Sequence, residues 1–170
     1  RWSDLHKNFA LCAAWAEHAG PGHWPDADML PLGRVGIRSG FHGLPDRQSL
    51  FTRDEQHMLI TLWCMARSPL MFGGDLRDND DWTLGLLTNR EVLEVLRASA
   101  GNRQLYRRDE LVAWAAQAPD GGQYLAHFNL RDQPALVETS LAELGLSSRC
   151  AVRDLWAGRE LGTAGTSIMS

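Results

Sequence analysis

This chain of 170 residues lacks the features that mark a redox or metal framework. Its three cysteines, Cys12, Cys64 and Cys150, are odd in number and far apart, with no CxxC pair. That spacing excludes a zinc knuckle and gives no disulfide framework. Two of the three fall in helical patterns, where a free cysteine behaves as a small hydrophobe. No apolar run approaches the roughly 18 residues of a membrane-spanning helix, so no membrane partner is expected. Basic charge is scarce: 17 Lys and Arg stand against 21 Asp and Glu, a net charge of −4. Phosphate binding needs clustered cations, so nucleic acid is not an expected partner either. There is no internal repeat and no low-complexity tract. The first residue is Arg, already inside a helix-like pattern, so no leader peptide is legible and a piece of a longer chain is expected.

What is present describes a folded protein. Hydrophobic residues make up 44% and charged residues 22% of the chain, a globular composition. The length suits one core, or one small domain plus a piece of another. Seven tryptophans are many for this size. Trp stacks well on the apolar faces of ligands, although burial in a core is its ordinary fate.

Ser3 is placed to cap a helix carrying Leu5, Phe9, Cys12 and Ala16 on one face. Gly20-Pro21 stops it, with His18 in the last turn. Residues 33–51 have no period and four glycines, the character of a functional lid or rim. Thr52 and Glu55 predict a capping box. The helix it opens sets Met58, Leu59, Leu62, Met65 and Ala66 on one face, Trp63 beside them, and ends near Arg67. Leu70 to Gly73 is a short apolar run expected as a parallel strand buried on both faces. Residues 81–87 read as helix, and Thr88 to Glu91 as a second capping box leading into Val92, Leu93, Val95 and Leu96.

Near Gly101-Asn102 the character changes. Residues 111–117, 123–130, 135–139 and 150–156 are short β-like runs, the first two joined by the turn signal Pro119-Asp120-Gly121-Gly122. Tyr124, Ala126, Phe128 and Leu130 alternate with more polar neighbours, as in an antiparallel sheet with one wet face. The expected organisation is therefore α/β plus all-β: residues 1–100 alternating helix and strand, then residues 101–170 as a β module.

The most informative segment is Gly20 to Leu32. It sets Asp26 and Asp28 two residues apart behind Trp24, among Pro21, Pro25 and Pro31, with its last five residues read as a strand end entering a loop. Acids are rarely buried alone, whereas a stiff rim of acid and aromatic suits a sugar. Asp26, Asp28 and Asp75 would share one face at the C-terminal ends of strands, where both (β/α)8 barrels and doubly wound sheets put their sites. His18, His23, Asp26 and Asp28 match no ligand spacing, so neither a metal nor a cofactor is expected. The acidic run 75–81 lacks the Gly and terminal Glu of an EF-hand loop and reads as a solvated face.

Pro21-Gly22-His23-Trp24-Pro25-Asp26-Ala27-Asp28-Met29-Leu30 resembles the PGxWNDPDML signature of glycoside hydrolase family 27, the melibiases or α-galactosidases. Thr61-Leu-Trp-Cys-Met-Ala-Arg-Ser-Pro-Leu-Met-Phe-Gly-Gly-Asp-Leu-Arg77 is similar to that family's last barrel helix-to-strand segment. Leu87 to Val92 is similar to its next helix, and Ala151 to Ala157 to a strand of its C-terminal sandwich. The resemblance implies the C-terminal segment of a (β/α)8 barrel followed by an incomplete antiparallel β-sandwich. Pro25 and Ala27 stand where the family usually has Asn and Pro, a departure in the loop but not in its acids.

The resemblance further implies part of a retaining exo-glycosidase for terminal α-D-galactosides of an oligosaccharide or glycoconjugate. Such enzymes use two carboxylates about 5 Å apart, one as nucleophile and one as acid/base. Both family positions fall upstream of Arg1, so no catalytic residue is expected in this chain, and the isolated piece is expected to be inactive. Asp28 and Met29 match positions that line the galactose pocket, and Asp26 matches an acid that either meets substrate or holds the loop through backbone N–H groups. Trp24 faces sugar or forms a buried wall. Asp75 and Arg77 are expected as a rim ion pair or helix cap, and the 33–51 loop as a rim against the aglycone. An α-N-acetylgalactosaminidase or an L-arabinopyranose specificity belongs to the same family. The other classes are a non-catalytic carbohydrate-binding or scaffold module, and a metal-dependent hydrolase using Asp26 and Asp28. Members of the family are often secreted, periplasmic or lysosomal, and the compartment and oligomeric state of this chain stay open.

Overall fold

The structure is a computed structural model that describes residues 2–36 and 45–170. The middle of the 33–51 loop read as an aglycone rim, with Arg38 and His42, lies outside the described residues, whereas Arg34 and Arg47 lie within them. The chain divides into two compact units, Arg1–Asn89 and Arg90–Ser170.

In the first unit, α1 (Trp2–Trp15) buries Leu5, Phe9 and Cys12, the face its spacing predicts. Ser3 lies inside the helix instead of capping it, and a 3₁₀ turn (Ala16–His18) carries the chain out. The second helix, α2 (Arg53–Ala66), begins with the expected capping box: Thr52 Oγ1 accepts from Glu55 N at 3.2 Å, and the Glu55 carboxylate accepts from Thr52 N at 2.7 Å. It packs on α1 and buries Leu59, Ile60, Leu62, Trp63, Cys64, Met65 and Ala66. Burial pushes the Cys12 thiol up to about 11 and Cys64 up to about 12. Both therefore act as small hydrophobes, with little thiolate available for chemistry.

The stretch expected as a buried parallel strand is much reduced. Leu30 and Phe72 form one parallel bridge, with Leu30 N donating to the Met71 carbonyl and Gly73 N to the Leu30 carbonyl, both at 2.8 Å. Met71 is exposed and Leu70, Phe72 and Gly73 are half-buried. A parallel strand is buried on both faces where packed elements cover them, and among the described residues this segment forms a single bridge. The 33–51 stretch, read as aperiodic, contains a two-residue ladder between β1 (Arg34–Val35) and β2 (Arg47–Gln48). Arg34 ties it together by pairing with both Asp46 and Asp78. The third helix, α3 (Asp81–Thr88), is capped by Asp80, whose Oδ1 accepts from Thr83 N at 2.8 Å.

The second capping box does not form. Thr88 is the last residue of α3, and its hydroxyl donates back to the Leu84 carbonyl at 2.7 Å. Glu91, in the first turn of α4 (Arg90–Ala98), gives both carboxylate oxygens to Arg153 at 2.7 and 2.8 Å. The same sequence pattern serves two termini here, and a tertiary ion pair outcompetes the local bond.

The rest of the second unit is antiparallel β structure. Strands β3 (Ala100–Arg108), β4 (Leu111–Gln117) and β5 (Gln123–Asn129) form one sheet in that order. The Pro119–Gly122 turn joins β4 to β5 as expected, with Gly121 at φ 90° and Asp120 accepting from Gly122 N. Ala126, Phe128 and Leu130 are buried on the predicted face. β4 sits between two partners and is buried along residues 112–116. β6 (Glu138–Ser140) pairs with β9 (Ser167–Met169), and β7 (Cys150–Asp154) with β8 (Arg159–Ala164). Sequence periodicity missed β3, β8 and β9. β3 contains two register shifts that break its alternation, and β8 is mostly exposed.

A hydrogen-bonded chain joins β3, β5 and β6. Tyr106 Oη donates to the Glu138 carbonyl at 2.6 Å, so it accepts from Thr139 Oγ1 at 3.0 Å. Thr139 Oγ1 then accepts from His127 Nε2 at 2.8 Å, and His127 Nδ1 accepts from Ser170 Oγ at 2.8 Å. The Nε2–H tautomer is assigned from this donor order. Burial holds the His127 imidazole below its ordinary pKa. The unfolded chain therefore takes up a proton that the folded chain refuses, and stability rises with pH. The contribution is complete above an ordinary histidine pKa of about 6.5 and is lost as pH falls below it. His127→Gln is expected to flatten the dependence of the melting temperature on pH between about 7 and 5. An unchanged slope in thermal melts would place the titrating group elsewhere.

Candidate functional site

The segment from Trp24 to Met29 has no regular secondary structure, and side chains outside it hold it in place. Asp26 Oδ1 accepts from Asp28 N at 2.9 Å, an Asx turn that sets the loop's curvature. The Ala27 amide donates to Ser68 Oγ at 2.9 Å, and its carbonyl accepts from Asn8 Nδ2 at 3.2 Å. Trp63 Nε1 donates to the Asp28 carbonyl at 2.8 Å. Asp28 itself has φ 82°, a left-handed conformation that Asp and Asn tolerate better than other residues with a Cβ. Four polar contacts thus fix a strained residue in a loop, the pattern expected where a side chain must point one way.

Asp28 is exposed. One carboxylate oxygen accepts from the Met29 amide at 2.7 Å, and the other has no hydrogen bond among the described residues. Met29 is 55% exposed. Its sulfur lies 3.0 Å from where a Cβ would stand on Gly73, so that glycine makes room for it. Trp24 is 36% exposed, with the Arg67 guanidinium over its ring at 3.8 Å from the centroid. Its surface is therefore neither a buried wall nor fully open. Asp26, Asp28 and Met29 are linked by the two hydrogen bonds of the turn, and Trp24 precedes them as an exposed residue of the same segment.

Asp75 is not part of this hydrogen-bonded turn. Asp28 precedes the Leu30–Phe72 rung and Asp75 follows it, with the Asp75 amide donating to the Arg34 carbonyl at 2.9 Å. Arg77 binds Asp75 through Nε at 2.9 Å and Nη2 at 2.8 Å, so of the two expected roles the ion pair forms. Those bonds, with the Arg77 amide, hold the Asp75 carboxyl at about 2. The carboxyls of Asp46, Asp75, Asp80, Glu91 and Glu143 are all displaced downward, chiefly by hydrogen bonds from Arg34, Arg77, Thr83, Arg153 and Ser140 respectively. A glycosidase general acid needs the opposite displacement.

Sequence reasoning did not find Asn8, Trp63 or Ser68 as parts of this site. Trp63 and Ser68 read as core and helix stop, and no local pattern records that their polar atoms reach a loop about 40 residues away.

A family model described as "Alpha galactosidase A" matches residues 7–97, and one described as "Alpha galactosidase C-terminal beta sandwich domain" matches residues 108–170. The chain belongs to glycoside hydrolase family 27. Its first unit is the C-terminal segment of a (β/α)8 barrel, and its second is of the sandwich type. Alpha-galactosidase 2 of Arabidopsis thaliana is 32% identical over 161 residues, covering 90% of this chain and 37% of that protein. A solved structure of a family 27 β-L-arabinopyranosidase from Geobacillus stearothermophilus superposes on the whole chain with a TM-score of 0.96 and 49% identity, over 39% of its own length. A putative α-N-acetylgalactosaminidase from Bacillus halodurans gives a TM-score of 0.93 and 43% identity, again over the whole chain and 41% of its own. This family 27 chain therefore spans about two fifths of the length of such relatives.

Proposed function

We propose that the chain is part of a retaining exo-glycosidase that removes terminal α-D-galactosyl units, with Asp28 and Met29 forming one wall of the sugar pocket. The observation that supports this most is the built rim itself. An exposed carboxylate at φ 82° sits beside an exposed methionine, in the family's acid-acid-methionine motif. The Asp28 carboxylate accepts sugar hydroxyls, Met29 offers an apolar, polarizable surface to the ring, and Asp26 holds the turn. Trp24, with Arg67 on its ring, borders the same rim. The nucleophile and acid/base belong to other parts of the natural-length protein.

A second reading follows from the 49% identity to a β-L-arabinopyranosidase. A β-L-arabinopyranoside has the ring configuration of an α-D-galactoside without the exocyclic hydroxymethyl group, so the same wall at Asp28 serves both. The natural-length protein is expected to release p-nitrophenol from the α-D-galactoside, the β-L-arabinopyranoside or both. A higher kcat/KM on the arabinoside selects the second reading, and activity on the N-acetylgalactosaminide alone replaces both. Hydrolysis of none of the three would overturn the proposal. The isolated 170-residue chain is expected to hydrolyse none of them, because a retaining glycosidase needs both a nucleophile and an acid/base and the family resemblance places neither in this chain. Turnover by that chain would refute the placing of the catalytic pair elsewhere.

A further inference from the structure

The end of α2 touches the sugar-site loop at three points in six residues. Trp63, in the last turn, is 1% exposed and donates its indole N–H to the Asp28 carbonyl at 2.8 Å. Arg67, the cap residue, adopts a left-handed conformation with φ 56° and lays its guanidinium on Trp24. Ser68, fully buried, accepts from the Ala27 amide at 2.9 Å. The left-handed cap is what brings these groups together. It turns the chain back so that Ser68 N reaches the Trp63 carbonyl at 2.9 Å, and the Ser68 hydroxyl then faces the loop while the Trp63 ring lies beneath it. A straight continuation of the helix would carry residues 67 and 68 away from residues 24–28. A lone Asx turn leaves a loop free to rock, whereas two fixed bonds on the neighbouring residues Ala27 and Asp28, plus a stacked ring, define its orientation.

We propose that Trp63, Arg67 and Ser68 are positioning residues: the closing turn of α2 is a clamp that fixes the direction of the Asp28 carboxylate and so contributes to sugar affinity. This rests on the reading of Asp28 as a pocket wall. The Trp63 indole N–H and the Ser68 hydroxyl meet the loop at the backbone of Asp28 and Ala27, the hydroxyl also donating to the Pro69 carbonyl at 3.5 Å, so the effect of the two loop bonds on substrate passes through Asp28 and Met29. Misplacing a binding group by a fraction of an ångström is costly to rate and affinity even when the altered residue is remote. Trp63→Phe keeps the aromatic body and removes the donor. Ser68→Ala removes the acceptor and little volume.

The test is a double-mutant cycle in the natural-length protein on its best p-nitrophenyl glycoside, with melting temperature recorded for each variant. Trp63→Phe is expected to lower kcat/KM about tenfold, mostly through KM, and Ser68→Ala about threefold. In an Asp28→Asn background each effect is expected to shrink below about twofold, since the group they position has gone. Effects that persist undiminished in that background would overturn the clamp and leave these residues as ordinary core. Should Trp63→Phe fail to fold, the Ser68→Ala cycle decides the same question. An Asp28→Asn variant with undiminished activity would instead sink the pocket-wall reading, an outcome separate from failure of the clamp.

Discussion

Asp28→Asn in the natural-length protein is expected to lower kcat/KM on an α-galactoside about 100-fold, whereas Asp75→Asn lowers it less than about threefold. The difference follows from what each carboxylate already does. A hydrogen bond to a charged group contributes about 1.5–3 kcal/mol, and the loss of about 2.7 kcal/mol is a factor of about 100. The Asp28 carboxylate has one oxygen on the Met29 amide and the other unbonded among the described residues, and the proposed pocket wall gives that second oxygen a sugar hydroxyl to accept. Both Asp75 oxygens are held by Arg77, which also donates its amide. Asn is the informative replacement at position 28. It tolerates φ 82° and keeps an oxygen for the Met29 amide, so the loop retains its shape while the charge is removed. An Ala variant would mix loss of the charge with loss of the turn. Steady-state kinetics on the two Asn variants gives the answer, and equal losses would mean that the pocket wall is misassigned.

Gly74→Ala is expected to destabilise the first unit by about 3 kcal/mol or more. A Cβ at position 74 would stand 2.2 Å from the Leu32 carbonyl oxygen and 2.8 Å from the Phe72 ring. The carbonyl is backbone and Leu32 is fully buried, so the neighbour cannot swing aside. The two segments that meet at the Leu30–Phe72 rung would have to separate, and the loop carrying Asp28 leads directly into one of them. Gly85→Ala provides the opposite case. Gly85 lies in the interior of α3, and its Cβ would meet no atom within 4 Å. Alanine there restricts the unfolded chain and favours the helix, an expected gain of about 0.5–1 kcal/mol. Urea unfolding of the two variants beside the parent measures both signs. A Gly74→Ala midpoint equal to that of the parent would contradict the close approach.

Much of the helical structure is legible from local rules. The α2 capping box is a bond between residues three apart, and the Leu5, Phe9 and Cys12 face is a spacing of one helix. The Pro119–Gly122 turn is likewise complete in four residues. Where two local patterns overlap, the same rules mislead. Thr88 and Glu91 read as a cap, yet Thr88 closes the helix before and Glu91 answers to Arg153, 62 residues away. Strands β8 and β9 escaped because an exposed or very short strand carries little alternation, and its identity comes from its partner.

The sequence by itself determined the family, because Asp26-Ala27-Asp28-Met29 and the segments after it are contiguous chemistry that any fold must carry in order. It also brought Trp24, Asp26, Asp28 and Met29 forward as candidates within one short segment. Only the tertiary structure decided what each of them does there. Asp26 turned out to hold the Asp28 amide, and Asp75 to pair with Arg77. Trp24 proved to be half-covered by Arg67, and Trp63 and Ser68 to reach back to the loop. The physical reason is range. A cap or a turn is settled by atoms a few residues apart, whereas the direction of a carboxylate is settled by buried donors and acceptors brought together only when α2 packs beneath the loop.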